Sequence, residues 1–255
     1  MNIQTGENVG IGGFILTGTI PRYVLLRAIG PSLAQSSIPN PLADPVMELH
    51  GVGGFVTVTN DNWRDDPVQE AAIIATNIPP SNNLESAIVL PLNPGSYTAI
   101  VRGKNNSTGV GLIEVYDLTQ LAEGKLANIS TRALVGTGSD IVIAGFILGA
   151  GKKDDHLIVR GIGPSLTALG IGNALANPTL ELRDGSGALM IANSDWQDDP
   201  SQAAQLISAG LALPNNLESG IAVSLPPGLY TALLAGFNNG TGVGLVEVYD
   251  RGGGP

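Results

Sequence analysis

Hydrophobic positions fall in short bursts along this chain, broken by glycine, proline and asparagine, and they predict strands rather than long helices. Val9 to Leu16 is an apolar run of strand length, rich in β-branched residues and bounded by glycine, and Tyr23 to Ile29 follows in the same character. Val46-Met47-Glu48-Leu49-His50 alternates inward and outward, and a glycine-containing turn leads to Phe55 to Thr59, so the pair predicts a hairpin. Glu85 to Leu90 and Asn93 to Val101 resume the strands, with a Pro-Gly turn and alternation through Tyr97, and Gly109 to Asp117 closes the series. One segment departs from the pattern. Asp66-Pro67-Val68-Gln69-Glu70-Ala71-Ala72-Ile73-Ile74 offers an Asp cap, a proline at the first helical position and good helix formers, which predicts one short helix.

Each of these elements then occurs again. Ile141 to Leu148, His156 to Ile162, Thr179 to Arg183, Ala188 to Ala192, the helix from Asp199 to Ile207, Glu218 to Leu225, Pro226 to Leu234 and Gly242 to Asp250 retrace the series. Ile29-Gly30-Pro31-Ser32-Leu33 returns as Ile162-Gly163-Pro164-Ser165-Leu166, Trp63 as Trp196, and Asn82-Asn83-Leu84-Glu85-Ser86 as Asn215-Asn216-Leu217-Glu218-Ser219; 163 − 30, 196 − 63 and 215 − 82 all give 133. A unit of that length can bury its own core, so the 255 residues predict two domains rather than one. The expected fold is all-β: two tandem jelly-roll-like β-sandwich domains, each with about seven or eight strands and one short helix. The first is expected over 1–120 and the second over 128–250, with a linker at 121–127 and a Gly-rich tail at 251–255. The second copy opens with Asn128-Ile129-Ser130-Thr131-Arg132, whereas the first starts late and lacks that counterpart. Either an opening segment has been removed from the first copy, or a neighbouring molecule supplies the strand by edge pairing, which would build a polymer. Thr17-Gly18-Thr19-Ile20-Pro21 and Gly149-Ala150-Gly151-Lys152-Lys153-Asp154 differ by one residue, as a hairpin tip on the surface does.

Composition narrows the picture. Thirty-five glycines, seventeen prolines and 13% charged residues suit tight turns and short strands. A net charge of −10 with twelve Lys and Arg leaves no basic surface for phosphates, which excludes nucleic acid as a partner. Cysteine is absent, so disulfides, thiolate metal sites and cysteine nucleophiles are excluded. No apolar run approaches the roughly 20 residues that span a bilayer, so membrane insertion is not expected. Met1-Asn2-Ile3 leads straight into the repeat, and an exported form would have had its signal segment removed.

Ile129-Ser130-Thr131-Arg132, Gly145-Phe146, Arg160-Gly161-Ile162-Gly163-Pro164-Ser165-Leu166, Asp195-Trp196, Leu217-Glu218-Ser219, Pro227-Gly228-Leu229-Tyr230-Thr231 and the closing Gly242 to Asp250 resemble a repeat common in large secreted or cell-surface bacterial proteins. The likeness covers nearly the whole chain. Its second half, with Asp-Trp, Pro-Gly-x-Tyr-Thr and Val-Glu-Val-Tyr-Asp, is also similar to the bacterial pre-peptidase C-terminal type of β-sandwich. The resemblance implies an extracellular or cell-surface module that is not catalytic and that adheres, binds glycans or spaces other domains.

The duplication is an internal control on candidate chemistry, because a residue present in one copy cannot be essential to both. Asp61, Asp65 and Asp66 with Glu85, and Asp195, Asp198 and Asp199 with Glu218, offer oxygen ligands to Ca2+, the one cofactor suggested; Asp66 and Asp199 equally serve as helix caps. Trp63 and Trp196, the two tryptophans, sit beside polar side chains where an indole either stacks on a sugar ring or fills a core. Arg27 and Arg160 stand in apolar strands and need carboxylate partners if buried, for which Glu48 and Glu181 are the expected ion pairs. His50 aligns with Arg183 and His156 with Tyr23, so neither histidine is duplicated. Gly-Pro-Ser-Leu is not the Gly-x-Ser-x-Gly of a nucleophile elbow, and Gly149 to Lys153 lacks the spacing of a phosphate loop. The reading that follows is a non-catalytic structural or adhesive repeat protein that associates with itself, by strand complementation or repeat packing, into an assembly or filament. The alternative is a carbohydrate-binding module, Ca2+-dependent or not, appended to a secreted enzyme and meeting polysaccharide.

Overall fold

The computed structural model describes residues 1–119, 124–149 and 153–253. The one-residue insertion and the loop at 150–152, the linker positions 121–123 and the last two tail residues lie outside them. The chain is all-β, with two short α-helices among the described residues, and it forms two compact units, Met1–Ala127 and Asn128–Pro255.

In the first unit, β1 (Asn2–Ile3), β2 (Gly10–Leu16), β3 (Arg22–Ile29), β4 (Pro45–Gly51) and β5 (Val58–Asn60) precede α1 (Pro67–Ala75). Then come β6 (Ser86–Leu92), β7 (Gly95–Gly103), β8 (Gly109–Val110) and β9 (Leu112–Asp117). Antiparallel pairing builds two sheets, β6-β3-β9 and β2-β7-β4-β5. Val24, Leu26, Ala28, Ile88 and Leu92 of one sheet bury against Phe14, Leu16, Met47, Leu49, Ala99 and Val101 of the other, the inward alternation of a sandwich. Leu25, Ala87 and Val89 face the other way and are covered by Trp63 and Ile73. That second layer explains why β3 reads as a continuous apolar run instead of alternating: it is buried on both faces. The expected strand at Phe55 to Thr59 forms only from Val58; ahead of it Phe55 packs edge-on against the Tyr97 ring, centroids 5.5 Å apart.

In the second unit, β10 (Leu126–Val135), β11 (Val142–Leu148), β12 (Asp155–Ile162), β13 (Pro178–Asp184) and β14 (Leu189–Asn193) precede α2 (Pro200–Ser208), followed by β15 (Ser219–Leu225), β16 (Gly228–Gly236) and β17 (Gly242–Gly253). The sheets run β15-β12-β17-β10 and β11-β16-β13-β14. Here β10 lies antiparallel on β17, from Asn128 opposite Tyr249 to Val135 opposite Gly242. β17 continues to Gly253, so the start of the expected tail is strand.

In the first unit the matching pairing is short. Asn2 lies opposite Val110 and Ile3 opposite Gly109, and Met1 and Gly111 exchange hydrogen bonds at 3.1 and 3.0 Å. β9 pairs with β3 and, among the described residues, ends its sheet.

Candidate functional site

The motifs retained at 133-residue spacing converge on one structure in each unit. After β3 the chain turns at Gly30 into a 3-10 helix, Pro31–Ser36. A Cβ on Gly30 would stand 2.2 Å from the Leu42 carbonyl oxygen, and one on Gly163 2.2 Å from that of Leu175, so no other residue fits this turn. The first amides of such a turn need an acceptor, and Glu85 supplies it. Its Oε1 accepts from Gly30 N–H (3.2 Å), Ser32 N–H (3.0 Å) and the Ser32 hydroxyl (2.5 Å). Glu218 does the same for Gly163 (3.3 Å), Ser165 N–H (3.0 Å) and the Ser165 hydroxyl. Both glutamates are 0% exposed; Glu85 Oε2 accepts in addition from Asn82 N–H (3.3 Å), whereas Glu218 Oε2 is buried without a hydrogen-bond partner among the described residues. The serine after each glutamate ties two more segments: Ser86 Oγ donates to the carbonyls of Pro45 and of Asp61 (2.8 Å), and Ser219 Oγ to those of Pro178 (2.6 Å) and Ser194 (3.1 Å).

The acidic loops disperse their carboxylates among local duties. Asp66 caps α1 by accepting from Val68 N–H (2.8 Å) and Gln69 N–H (3.1 Å), and Asp199 caps α2 through Ser201 (2.9 Å) and Gln202 (3.1 Å). The Gln202 side chain and these amides hold the Asp199 carboxyl below the usual carboxylate range. Asp65 accepts from Asn62 Nδ2 at 3.2 Å. Asp61 meets Lys104 Nζ at 2.6 Å, with Asp44 3.7 Å from the same ammonium, and burial followed by the Asp61 charge pushes the Asp44 carboxyl up. The second unit has Ser194, Phe237 and Asn177 at the positions of Asp61, Lys104 and Asp44, so this charged cluster belongs to one copy alone. Asp195 and Asp198 bound a turn closed by Asp198 N–H on the Asp195 carbonyl (3.0 Å), and Asp195 Oδ1 is buried without a hydrogen-bond partner among the described residues. Among the described residues no group of three or more His, Asp or Glu is arranged to hold a metal.

Trp63 is 2% and Trp196 4% exposed. Both sit in the layer between helix and sheet, Trp63 with Leu25 and Ile73 and Trp196 with Ile158 and Leu206. Of the two placements weighed for these indoles, this is the core. The Arg64 guanidinium also covers the Trp63 ring, 4.1 Å from its centroid.

The expected partners of the two half-buried arginines are corrected. Arg27 pairs with Glu114, not Glu48, its Nε donating at 2.7 Å, and Arg160 pairs with Glu247, not Glu181, at 2.8 Å. The reason is topology: β3 lies on β9 with Arg27 directly opposite Glu114, and β12 lies on β17 with Arg160 opposite Glu247. Glu48 and Glu181 belong to the other sheet of each sandwich, where they pair with Arg102 (2.8 Å) and Arg183 (2.5 Å). Tyr116 donates to Glu114 (3.0 Å) and accepts from Arg27 (3.1 Å), and burial, then the neighbouring carboxylate, push its hydroxyl up. Tyr249 is pushed up in the same way beside Glu247.

Two retained polar pairs escaped the sequence reading. Asn60 Oδ1 accepts from Ala87 N–H (2.9 Å) and Asn193 Oδ1 from Gly220 N–H (2.8 Å). Gln69 of α1 both accepts from Val89 N–H (3.0 Å) and donates to its carbonyl (3.2 Å), and Gln202 accepts from Ala222 N–H (3.1 Å). Their retention at 133-residue spacing was the available signal. Each fastens helix or loop onto the outer edge strand, β6 or β15.

No family model and no curated protein matches the chain. Among solved structures, one titled "Structure of PNGF-II in C2 space group" aligns at 10% identity with a TM-score of 0.22, covering 99% of this chain and 58% of that one. A likeness at that level carries no functional argument.

Proposed function

We propose that this chain is a non-catalytic structural or adhesive repeat protein of the cell exterior, acting through its surfaces and through association of repeat units. One observation carries the reading. The polar side chains retained in both copies, Glu85 and Glu218, Asn60 and Asn193, Gln69 and Gln202, Asp66 and Asp199, Arg27 and Arg160, are engaged in clasping loops, capping helices and joining strands. Duplication has kept the fold and let the surface diverge, which suits modules that space or connect. The placement outside the cell rests on the motifs shared with secreted bacterial repeats. Sedimentation and electron microscopy over a rising concentration series test the proposal, with assemblies that grow with concentration as the expected result. A strict monomer that binds a polysaccharide on a glycan array, and releases it with chelator, would replace this reading with the carbohydrate-binding one.

A further inference from the structure

We propose that Asn106 and Asn239 are acceptor sites for N-linked saccharide, one on the same surface turn of each unit. Such a modification requires asparagine, then any residue but proline, then serine or threonine. Asn106-Ser107-Thr108 meets the requirement, and 133 residues on Asn239-Gly240-Thr241 meets it again. Around these positions the copies differ, with Lys104 against Phe237 ahead of the motif and Ser107 against Gly240 inside it. The middle residue has changed, while the two residues that the motif specifies have not.

Backbone geometry accounts for part of what is retained. The turns joining β7 to β8 and β16 to β17 are closed by Ser107 N–H on the Lys104 carbonyl (3.1 Å) and by Gly240 N–H on that of Phe237 (3.0 Å). Their central residues have φ of 55° and 61° at Asn105 and Asn106, and 51° and 59° at Asn238 and Asn239. A left-handed pair of this kind selects asparagine or glycine. The glycines that follow are required by space: a Cβ on Gly109 would stand 2.7 Å from the Asn40 carbonyl oxygen, and one on Gly242 2.8 Å from that of Asn173. No such cause covers Thr108 and Thr241. Both are exposed, as are Asn106 and Asn239, and among the described residues neither hydroxyl makes a hydrogen bond. The retained glutamates, glutamines and arginines hold the fold together, whereas these two threonines do not.

Structure and duplication discard the two other matches to the motif. Asn128-Ile129-Ser130 has its asparagine 6% exposed, with Nδ2 donating to the Val248 carbonyl (3.0 Å), out of reach of a transferase. Asn105-Asn106-Ser107 matches in the first unit alone, because Gly240 stands where the second would need a hydroxyl. Phe237 adds an independent observation. It is 50% exposed on a solvated turn, two residues ahead of Asn239, and an aromatic face there can stack on the first sugar. Lys104, its counterpart, is held by Asp61 at 2.6 Å instead. In the modification the carboxamide nitrogen bonds to the anomeric carbon of a sugar activated as a phosphate ester. The bond from that carbon to the phosphate oxygen breaks, the phosphate leaves with the electron pair, and one amide proton is released.

These sites rest on the placement outside the cell proposed above, and their test separates the two. The full chain is purified from the surface of the cells that make it, and its peptides are fragmented by electron transfer, which leaves a sugar on its side chain. The expected result is saccharide mass on Asn106 and Asn239, with Asn105 and Asn128 bare. Thr108→Val and Thr241→Val should each abolish the saccharide of their own unit and keep the other, and Thr241→Ser should retain it. Enzymatic removal of the sugar should speed amide exchange at 238–241 severalfold, and by less in Phe237→Ala. Bare Asn106 and Asn239 on surface-purified chain, deamidation as their only change, saccharide on Asn105 instead, or saccharide that survives the Thr→Val changes would overturn the sites and leave the exterior reading standing. A chain confined to the cell interior and bare at both positions would overturn both.

Discussion

Among the described residues the β6-β3-β9 sheet of the first unit ends at β9, whereas the matching strands of the second, β15-β12-β17, continue to β10. The acceptor strands are near copies, yet Val246 and Val248 are sealed while Ile113 and Val115 are half-buried. Met1 and Leu126 pack on the first core without closing it at those positions. Burial of an edge-strand side chain is therefore set by the strand next door, not by the sequence of the strand that carries it.

The severest way to break this comparison is to empty the shared layer between helix and sheet. Trp63→Ala and Trp196→Ala should each cost about 3–5 kcal/mol in the unit that carries the change. Because each unit has one indole, the surviving tryptophan's fluorescence during urea unfolding reports the untouched unit. Its midpoint should stay in place; an equal shift would show that the two units are not separate folding bodies. Arg27→Met and Arg160→Met come next, leaving Glu114 or Glu247 without its guanidinium. We expect losses of about 2–3 kcal/mol, larger for Arg160 because Glu247, 13% exposed against 21% for Glu114, is more enclosed. Unchanged thermal unfolding would sink the structural role of these pairs. Glu85→Gln and Glu218→Gln exchange a charged acceptor for a neutral one under the same amides, and denaturant midpoints should fall by the equivalent of about 1–2 kcal/mol in both units alike.

The smallest effect sharpens the comparison through pH. Hydrogen bonds hold the Asp199 carboxyl below its ordinary range, so its contribution is complete above the unfolded value of about 3.9 and is lost as pH falls through the lower folded value. The stability gap between the native chain and Asp199→Ala, read from Trp196 during stepped acid titration in denaturant, should hold from neutral pH to about pH 4 and narrow below it. A gap that persists unchanged to about pH 2 would contradict the capping role.

Much of the fold was legible because its signals are local. Asp66-Pro67 and Asp199-Pro200 announce helix starts through the chemistry of their own side chains, and the Pro-Gly turns fix where β7 and β16 begin. The partners of Arg27 and Arg160 were not legible, since Glu114 is 87 residues away from Arg27 and becomes its neighbour only once β3 and β9 pair. Glu85 carried a misleading signal. An acidic residue near an acidic loop reads as an ion ligand, but folding carries it to the amides of Gly30 and Ser32, a meeting of two retained motifs that neither motif declares alone.

Amide hydrogen exchange of the unmodified chain tests the contrast between β9 and β17 most directly. Alternate amides in Leu112–Asp117 should exchange about a hundredfold faster than their counterparts in Leu245–Asp250, while β3 and β12 remain comparably protected. Equal protection along both closing strands would contradict the claim that the neighbouring strand sets the enclosure of each.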